Sequence, residues 1–333
     1  MHAIKKLAIF LHCGFLALLL AGAFIRPATA APSCDGHSSN LMFGTVNLLA
    51  GGVTDATSTI SYGCSADPGT VVLLCVSLGA DPNTGLYTLR NLGSGSNRMA
   101  FNFYTDAARS TIWGAVGAAG GYAPVPIIMT FGSGEYYKSA TTLLYGRIQS
   151  AGQTGLPSGT YDTGYISGWP MKIDYKAVAN STSASCANGG MSNKSSSFYA
   201  QAVVKSDCRI DSASTMDFGT VFQTLSQNID SAATITVTCN GGMGANGYKV
   251  GLGNGTNASG TQRRMKGPGG GYVNYELYRD AQRSSRWGND YNTSLPGVGN
   301  GLPQALTVYG RVPPQSAPGI GLFTDTVVIT ISY

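Results

Sequence analysis

The chain has 333 residues, of which 46 are glycine, and charged residues make up only 11% of it. Its formal net charge is +5, but Lys5, Lys6 and Arg26 supply three of those charges, which leaves +2 for residues 31–333. This balance implies no basic patch of the kind that nucleic-acid binding requires, so we expect no nucleic-acid partner.

Residues 1–30 are typical of a secretory signal peptide. Lys5 and Lys6 precede an apolar run over residues 7–24, and Ala28-Thr29-Ala30 forms a small-residue cleavage pattern. A membrane anchor is the alternative, but the cleavage pattern favours removal, and no later stretch is apolar enough to span a bilayer. We therefore expect an exported protein, with a mature chain that begins near Ala31.

Cysteine usage agrees with export. After the signal, six cysteines remain, an even number that favours disulfides in an oxidising compartment: Cys34, Cys64, Cys75, Cys186, Cys208 and Cys239. No C-x-x-C pair is present, and His37 is the one histidine left after the signal, so no metal site is expected. A single histidine also disfavours a nucleophile–histidine–acid triad. We expect neither an enzyme nor a cofactor.

The chain repeats one pattern twice. Four blocks recur in the same order: Cys34, Phe43-Gly44-Thr45-Val46 and Cys64 with Cys208, Phe218-Gly219-Thr220-Val221 and Cys239; Asp106-Ala107 with Asp280-Ala281; Trp113-Gly114 with Trp287-Gly288; and Tyr145-Gly146-Arg147 with Tyr309-Gly310-Arg311. This order predicts two copies of one domain, over residues 31–206 and 207–333, with a short junction between them.

The matched cysteines suggest a disulfide pattern. We expect Cys34 to pair with Cys64, and Cys208 with Cys239. The two cysteines without counterparts, Cys75 and Cys186, are then left for each other. Sequence alone leaves other connectivities open.

The last nine residues alternate with period two. Val327, Ile329, Ile331 and Tyr333 fall on one face, which is typical of a half-buried strand. The first copy continues past the corresponding segment and contains a further predicted strand, Phe198–Lys205, with which it completes its own sandwich. The second copy shows no such strand, and only residues 31–33 precede Cys34. We therefore expect a subunit that accepts a strand but donates none, as at the end of a polymer.

Taken together, these motifs resemble the spore coat protein U domain family, and the doubled arrangement resembles the two-domain tip adhesin of archaic chaperone–usher pili. The resemblance implies an all-β fold class: two immunoglobulin-like β-sandwich domains in tandem, the second incomplete and completed by a donor strand. It implies a periplasmic chaperone, an outer-membrane usher and an adjacent pilin that donates this strand. It also implies export through the periplasm to the cell surface, at the pilus tip. It also implies biofilm formation through attachment to abiotic surfaces by apolar fingers at the pilus tip.

Three loops are the candidate fingers. If each segment of the first copy runs antiparallel to the last, the loops around residues 47–53, 115–122 and 149–156 fall at one end, opposite the junction. Exposed apolar clusters often mark interaction sites. The predicted surface-binding residues are Leu48, Leu49, Val53, Val116, Ala118, Ala119, Tyr122, Ile148, Ala151 and Leu156.

Two other functions compete with this hypothesis. A lectin-like tip adhesin would need an aromatic and polar pocket, for which Trp169, Tyr122 and the Tyr136-Tyr137 pair are the candidates. A structural coat or pilus-rod protein would explain the domain type but not the missing donor. Because Trp113 and Trp287 recur in both copies, we predict them to be framework residues. Asp106 and Asp280 also recur, and we expect them to cap turns.

Overall fold

The computed structural model describes residues 30–182, 184–187, 190–221 and 225–333, with Tyr165, Ala245 and Asn246 described by their backbone alone. Apart from Ala30, the predicted signal peptide lies outside the described residues. Within these ranges, no helix has the length and apolar character needed to cross a membrane.

The described part of the chain is almost entirely strand and loop. The first copy contains β1 (Ser33–Ser38), β2 (Leu41–Val46), β3 (Val53–Ser65), β4 (Val71–Leu78), β5 (Arg90–Ser94), β6 (Asn97–Tyr104), β7 (Val125–Thr130), β8 (Tyr137–Gln149), β9 (Gly159–Asp162), β10 (Trp169–Val178), β11 (Ser192–Phe198) and β12 (Ala200–Val204). The second contains β13 (Cys208–Ala213), β14 (Ile229–Cys239), β15 (Met243–Leu252), β16 (Arg263–Lys266), β17 (Tyr272–Tyr278), β18 (Leu295–Gly299), β19 (Gln304–Val312) and β20 (Ile329–Ser332). Two short 3₁₀ turns lie at Ala119–Gly121 and Gly164–Ile166.

The first copy forms a sandwich of an eight-stranded sheet, in the order β1-β3-β8-β6-β5-β9-β12-β2, and a four-stranded sheet, in the order β11-β10-β4-β7. Alternating strand residues point between the sheets, as period-two patterns require. Its core includes the fully buried Trp113 and Trp169, with Phe103 in edge-to-face contact with the Trp169 ring.

The second copy forms a smaller sandwich. Its sheets have the orders β13-β14-β19-β17-β16 and β18-β15-β20. They enclose a separate core around Val237, Val250 and Trp287. The predicted all-β fold with two tandem sandwiches is therefore confirmed.

The framework predictions are confirmed in both sandwiches. The ring nitrogen of Trp113 donates to the carbonyl of Val76, and that of Trp287 donates to the carbonyl of Val250, at 2.8 and 2.7 Å. The Asp106 carboxylate accepts the backbone N–H groups of residues 110 and 111, and Asp280 accepts those of residues 284 and 285. These acids cap turns, because their oxygens satisfy N–H groups that the turn leaves unpaired.

A matched pair of buried arginines was not anticipated from the sequence. Arg90 donates to the carbonyls of Gly79 and Trp113, and Arg263 makes the same contacts with Gly253 and Trp287. A guanidinium group carries five N–H donors, so one side chain can satisfy several carbonyl groups where strands diverge. Burial lowers the pKa of Arg90 to about 9.

The three expected disulfides are present. Cys34–Cys64 and Cys208–Cys239 each join opposed residues of neighbouring strands, with Cα atoms 4.1 Å apart. Cys75–Cys186 ties the segment after β10 to the middle of β4. Three disulfides fit an oxidising, extracytoplasmic compartment.

Candidate functional site

Two consecutive strands, β11 and β12, close the first sandwich. β11 pairs antiparallel with β10, and the chain then crosses to the other sheet, where β12 lies between β9 and β2. From the end of β11 onward, alternate side chains are buried: Phe198, Ala200, Ala202 and Val204. The predicted strand over residues 198–205 is therefore part of a longer closing segment that begins at Ser192.

Among the described residues, the second sandwich has the neighbours of this strand but no strand in its place. β20 pairs with β15 in the register with which β10 pairs with β4, since Ile331 opposes Val250 as Ile173 opposes Val76. Among the described residues, β15 is the only strand beside β20. Residues 216–221, which correspond to β2, belong to no strand.

The missing neighbour leaves an apolar groove, which we call the acceptor groove, between residues 216–221 and 325–333. Val46 is 1% exposed, whereas its counterpart Val221 is 43% exposed. Likewise Tyr175 is 6% exposed and its counterpart Tyr333 is 59% exposed. Side chains that β11 and β12 cover in the first sandwich are thus open in the second.

The predicted acceptor residues line one side of the acceptor groove. Val327, Ile329 and Ile331 are half-buried against the second core, while the residues between them are exposed, as the alternation predicts. The hydroxyl of Tyr333 donates to the Asp207 carboxylate at 3.1 Å. The role of these four residues in accepting a strand remains a prediction.

The residues that face the position of Phe198 differ between the two sandwiches. In the first sandwich, the Phe198 ring packs 5.5 Å from that of Phe103, and Phe198 pairs in register with Trp169. Leu277 and Val327 occupy the places of Phe103 and Trp169. Because both replacements are smaller, the second sandwich leaves more room at the position of Phe198.

Asp325 anchors the segment that leads into β20. Its carboxylate accepts the hydroxyl of Tyr275 at 2.7 Å, together with the hydroxyl of Thr256 and the backbone N–H of Asn257. Burial, reinforced by this carboxylate, raises the pKa of Tyr275 far above its ordinary range. These bonds fix the segment before β20, which β15 supports on one edge only.

Three of the predicted surface-binding residues are buried, and for them the prediction was wrong. Leu48, Leu49 and Ile148 are at most 4% exposed. Asn47 accepts the backbone N–H groups of residues 49 and 50, which folds this loop back onto the sandwich. Their side chains close the core where strands end, so they are unable to contact a surface.

The predicted placement of all three loops away from the junction was also wrong. Loops 47–53 and 149–156 lie at the junction, and loop 115–122 lies beside the C-terminal end of β4, where the N–H of Val116 donates to Ser77, whereas the far end of the sandwich is where β4 begins. Arg209 donates to the carbonyl of Leu49 at 2.5 Å, and the N–H of Gly241 donates to the carbonyl of Thr154 at 3.0 Å. Of the remaining residues in these loops, Val53 and Ala151 are exposed and Leu156 is half-buried.

Strand direction explains the correction. β9, in the eight-stranded sheet, and β10, in the four-stranded sheet, run in the same direction. β11 and β12 then run in the opposite direction, antiparallel to β10 and β9. The chain therefore returns at Val204 to the end where Val46 and Gly159 lie, and enters the second sandwich from there. A count that reverses direction at every segment misses this return.

The third loop holds four predicted residues together. Ala119 is exposed, and Val116, Ala118 and Tyr122 are half-buried. The Tyr122 ring stacks on Tyr87 with 5.6 Å between centroids, so this tyrosine also holds the loop in place. A binding role for residues 115–122 stays a prediction.

The end of the first sandwich away from the junction, which we call the free pole, consists of residues 65–70, 131–137, 178–182, 184–187 and 190–192. Tyr136 and Tyr137 are 64% and 63% exposed there. Trp169, by contrast, is fully buried, so the hypothesis that it stacks on a sugar was wrong. Among the described residues, no group of three or more His, Cys, Asp or Glu side chains is arranged to hold a metal ion.

Comparison with known proteins gives consistent matches. Protein U of Myxococcus xanthus is 41% identical over 80 residues, which are 24% of this chain and 45% of that protein, so the match spans less than half of that relative. A solved chaperone–tip adhesion subunit pre-assembly complex, CsuC–CsuE from archaic chaperone–usher Csu pili of Acinetobacter baumannii, is similar over 90% of this chain and all of that chain, with 16% identity and a TM-score of 0.49. The CupB6 tip adhesin of Pseudomonas aeruginosa is similar over 90% of this chain and 94% of that one, with 11% identity and a TM-score of 0.37.

The family model described as Spore Coat Protein U domain matches the chain twice, over residues 20–163 and 194–330. These two ranges contain the two sets of matched motifs, from the paired cysteines to the Tyr-Gly-Arg blocks. The chain therefore belongs to the Spore Coat Protein U domain family.

Proposed function

We propose that this protein is the tip adhesin of a chaperone–usher pilus and that the acceptor groove binds a strand donated by the following pilin. One observation carries the proposal: the first sandwich is closed by β11 and β12, and the second presents the same two neighbours with no described strand between them. Open apolar strand edges are templates for pairing with another chain.

The occupant follows from the closing strand of the first sandwich. The donated strand runs in the direction of β11 and β12. It places small or branched residues where Ala200, Ala202 and Val204 lie, and a bulky residue where Phe198 lies. The smaller Leu277 and Val327 favour this bulky side chain. Backbone pairing supplies affinity, and the alternating side chains supply specificity.

The other partners follow from the same groove. Before assembly, an apolar groove in the periplasm needs cover, so we propose a pilus chaperone that binds it first and an outer-membrane usher at which the donor strand replaces that chaperone. The finished subunit then lies at the cell surface, at the pilus tip, and promotes biofilm formation.

Adhesion is assigned to the first sandwich. We retain loop 115–122 as the surface for apolar or abiotic materials, because it presents small apolar side chains without charge. Binding to such a surface comes from burial of apolar area, which needs no directional partner. A lectin-like function is the second candidate, and the exposed Tyr136 and Tyr137 favour it, since aromatic rings stack on sugars.

The experiment that tests strand acceptance extends the full chain with a copy of its own residues 176–204, carrying Cys186→Ser. Residue 176 corresponds to the position after Tyr333, so the copy supplies the loop and closing strand of the first sandwich. We expect the free energy of unfolding of the second sandwich to rise by about 4 kcal/mol, because several half-exposed apolar side chains become buried.

The matched control carries Phe198→Asp and Ala202→Asp in the appended copy only. Hydrogen exchange of the β14 and β19 amides at increasing urea measures the stability of the second sandwich in the three proteins. Equal stability of the chain with and without the intact extension would refute strand acceptance.

A further inference from the structure

We infer that residues 313–322, here called the second loop, form a docking surface for the sandwich that follows this chain in a polymer. The inference rests on the proposed strand acceptance, which brings such a sandwich to this end of the molecule. It adds a second contact, separate from the acceptor groove. Its partner is a sandwich of the same family with a glycine turn two residues after its second cysteine.

The structure contains the template for this contact within one chain. Residues 149–158, here called the first loop, dock onto the turn that follows Cys239. The N–H of Gly241 donates to Thr154, and Pro157 pairs with Gly241 as an isolated bridge. A Cβ atom at Gly301 would lie 2.5 Å from the backbone nitrogen of Gly155, so these backbones meet where side chains would not fit.

The two loops are equivalent in position and anchoring. Gln153 holds the first loop to β6: its side chain accepts the N–H of Ala100 at 2.7 Å and donates to the carbonyl of Ala100 at 3.1 Å. Gln315 holds the second loop to β17 through both backbone groups of Asn274, each at 2.9 Å. The same two-bond clamp therefore places both loops at the same end of their sandwiches.

The loops differ in what covers them. The first loop lies against the second sandwich, whereas the second loop projects Ile320 at 99% and Leu322 at 80% exposure. These are the most exposed large apolar side chains among the described residues. Apolar side chains held out by an ordered loop favour an interface.

The free pole of the first sandwich is not built to receive such a loop. Two residues after Cys64 stands Ala66, where the second sandwich has Gly241, and Ala66 packs into the first core. A Cβ atom at Gly241 would overlap the carbonyl oxygen of Gly155. Stacking can therefore continue beyond the second sandwich but not beyond the first, which gives the polymer a direction.

Hydrogen exchange on an extended full chain tests the inference. The test protein is the full chain followed by a copy of residues 176–333 with Cys186→Ser, which supplies a closing strand and a third sandwich. The control ends the copy at residue 204 and so supplies the strand alone. We expect the amides of residues 319–322 to exchange about tenfold more slowly in the test protein than in the control.

A second variant isolates the contact. Gly241→Ala in the appended copy should restore fast exchange at residues 319–322 and leave β19 protected. A folded third sandwich without protection of these amides would overturn the docking inference while strand acceptance stands. If the strand-only control is no more stable than the parent chain, strand acceptance itself fails.

A photo-crosslinker at position 320 of the full chain, in cells that assemble the polymer, gives an independent result should the extended chain not fold. We expect a crosslinked peptide that contains the turn after the second cysteine of a neighbouring family domain. The same crosslinker at Tyr291, which is 78% exposed, is the control. Crosslinks from position 320 to any other site, or to none, would contradict the inference.

Discussion

Val46 and Val221 occupy the same place in two copies of one sandwich, yet the first is covered by β12 and the second faces a groove. Val204 lies opposite Val46 in parallel register, and no described strand takes that place beside Val221. The first sandwich therefore shows how the site looks when a strand covers it. Matched substitutions at Val46 and Val221 can then distinguish an effect on folding from an effect on strand binding.

The first prediction uses this pair. Val46→Asp should destabilise the first sandwich by about 3 kcal/mol or more, because it buries an unpaired carboxylate. Val221→Asp should change the stability of the free chain by less than about 0.5 kcal/mol, since the site is open. It should, however, abolish the gain from the appended residues 176–204. Urea unfolding of both variants, with and without that extension, measures these effects, and a retained gain in Val221→Asp would place the donor elsewhere.

The second prediction concerns the disulfides. Replacing Cys75 and Cys186 with alanine should cost about 2–5 kcal/mol, because the bond closes a long loop of the unfolded chain. The pair is separated by 111 residues, against 31 for Cys208 and Cys239. In the chain-entropy model the longer loop is worth about 1 kcal/mol more. Chemical unfolding of the two double variants tests the order, and a larger loss for the Cys208–Cys239 pair would contradict it.

The third prediction is a dependence of stability on pH. Hydrogen bonding from Arg147, with the nearby charge of Arg109, lowers the pKa of Asp55 below its ordinary value of 3.8. Arg311 and Arg283 do the same for Asp230. A lowered pKa in the folded state contributes stability that is present above the ordinary value and is lost as pH falls through the folded value.

Stability should therefore drop on acidification below about pH 4. Asp55→Asn and Asp230→Asn together should lower stability at pH 7 and flatten its change below pH 4. Thermal melts from pH 2 to pH 7 provide the measurement. An unchanged acid slope in the double variant would show that other carboxylates cause the loss.

The fourth prediction concerns adhesion. Val116→Asp with Ala119→Asp should abolish attachment to polystyrene and leave pili assembled, because each carboxylate would lose water against plastic without gaining a partner. Tyr122 is kept, since its ring holds the loop against Tyr87. Moderate salt should not release the wild type, as screening acts on charges. Biofilm assays with surface pili counted by microscopy measure the effect.

Tyr136→Ser with Tyr137→Ser is the matched variant at the free pole. It should leave attachment to plastic intact. If this variant loses attachment and the loop variant keeps it, the adhesive surface lies at the free pole. Loss of binding on a glycan array by the tyrosine variant, with plastic attachment unchanged, would support the lectin-like function.

Much of the architecture is predictable from local and repeated patterns. The repeated cysteines and the Trp-Gly blocks predict two tandem sandwiches, and alternation in residues 325–333 predicts which side chains of β20 face the core. Such features depend on a period of two along one strand or on the comparison of one copy with the other. The repeat also predicts turn caps at Asp106 and Asp280, because a short polar side chain bonds to its own turn.

Other features were decided by the tertiary structure alone. Loops 47–53 and 149–156 lie at the junction because the chain crosses from one sheet to the other between β9 and β10 and again between β11 and β12. Hydrophobic periodicity along the sequence does not reveal such a crossing. The burial of Leu48, Leu49 and Ile148 was missed for a related reason. The sequence alone does not distinguish an apolar loop residue that packs into the core from one that binds another surface. The Gln153 and Gln315 clamps were missed because each joins residues more than forty positions apart. The features that the two sandwiches share follow from their repeated residues. Which edge β11 and β12 cover, and which loop packs on the neighbouring sandwich, depend on contacts between segments far apart in the chain.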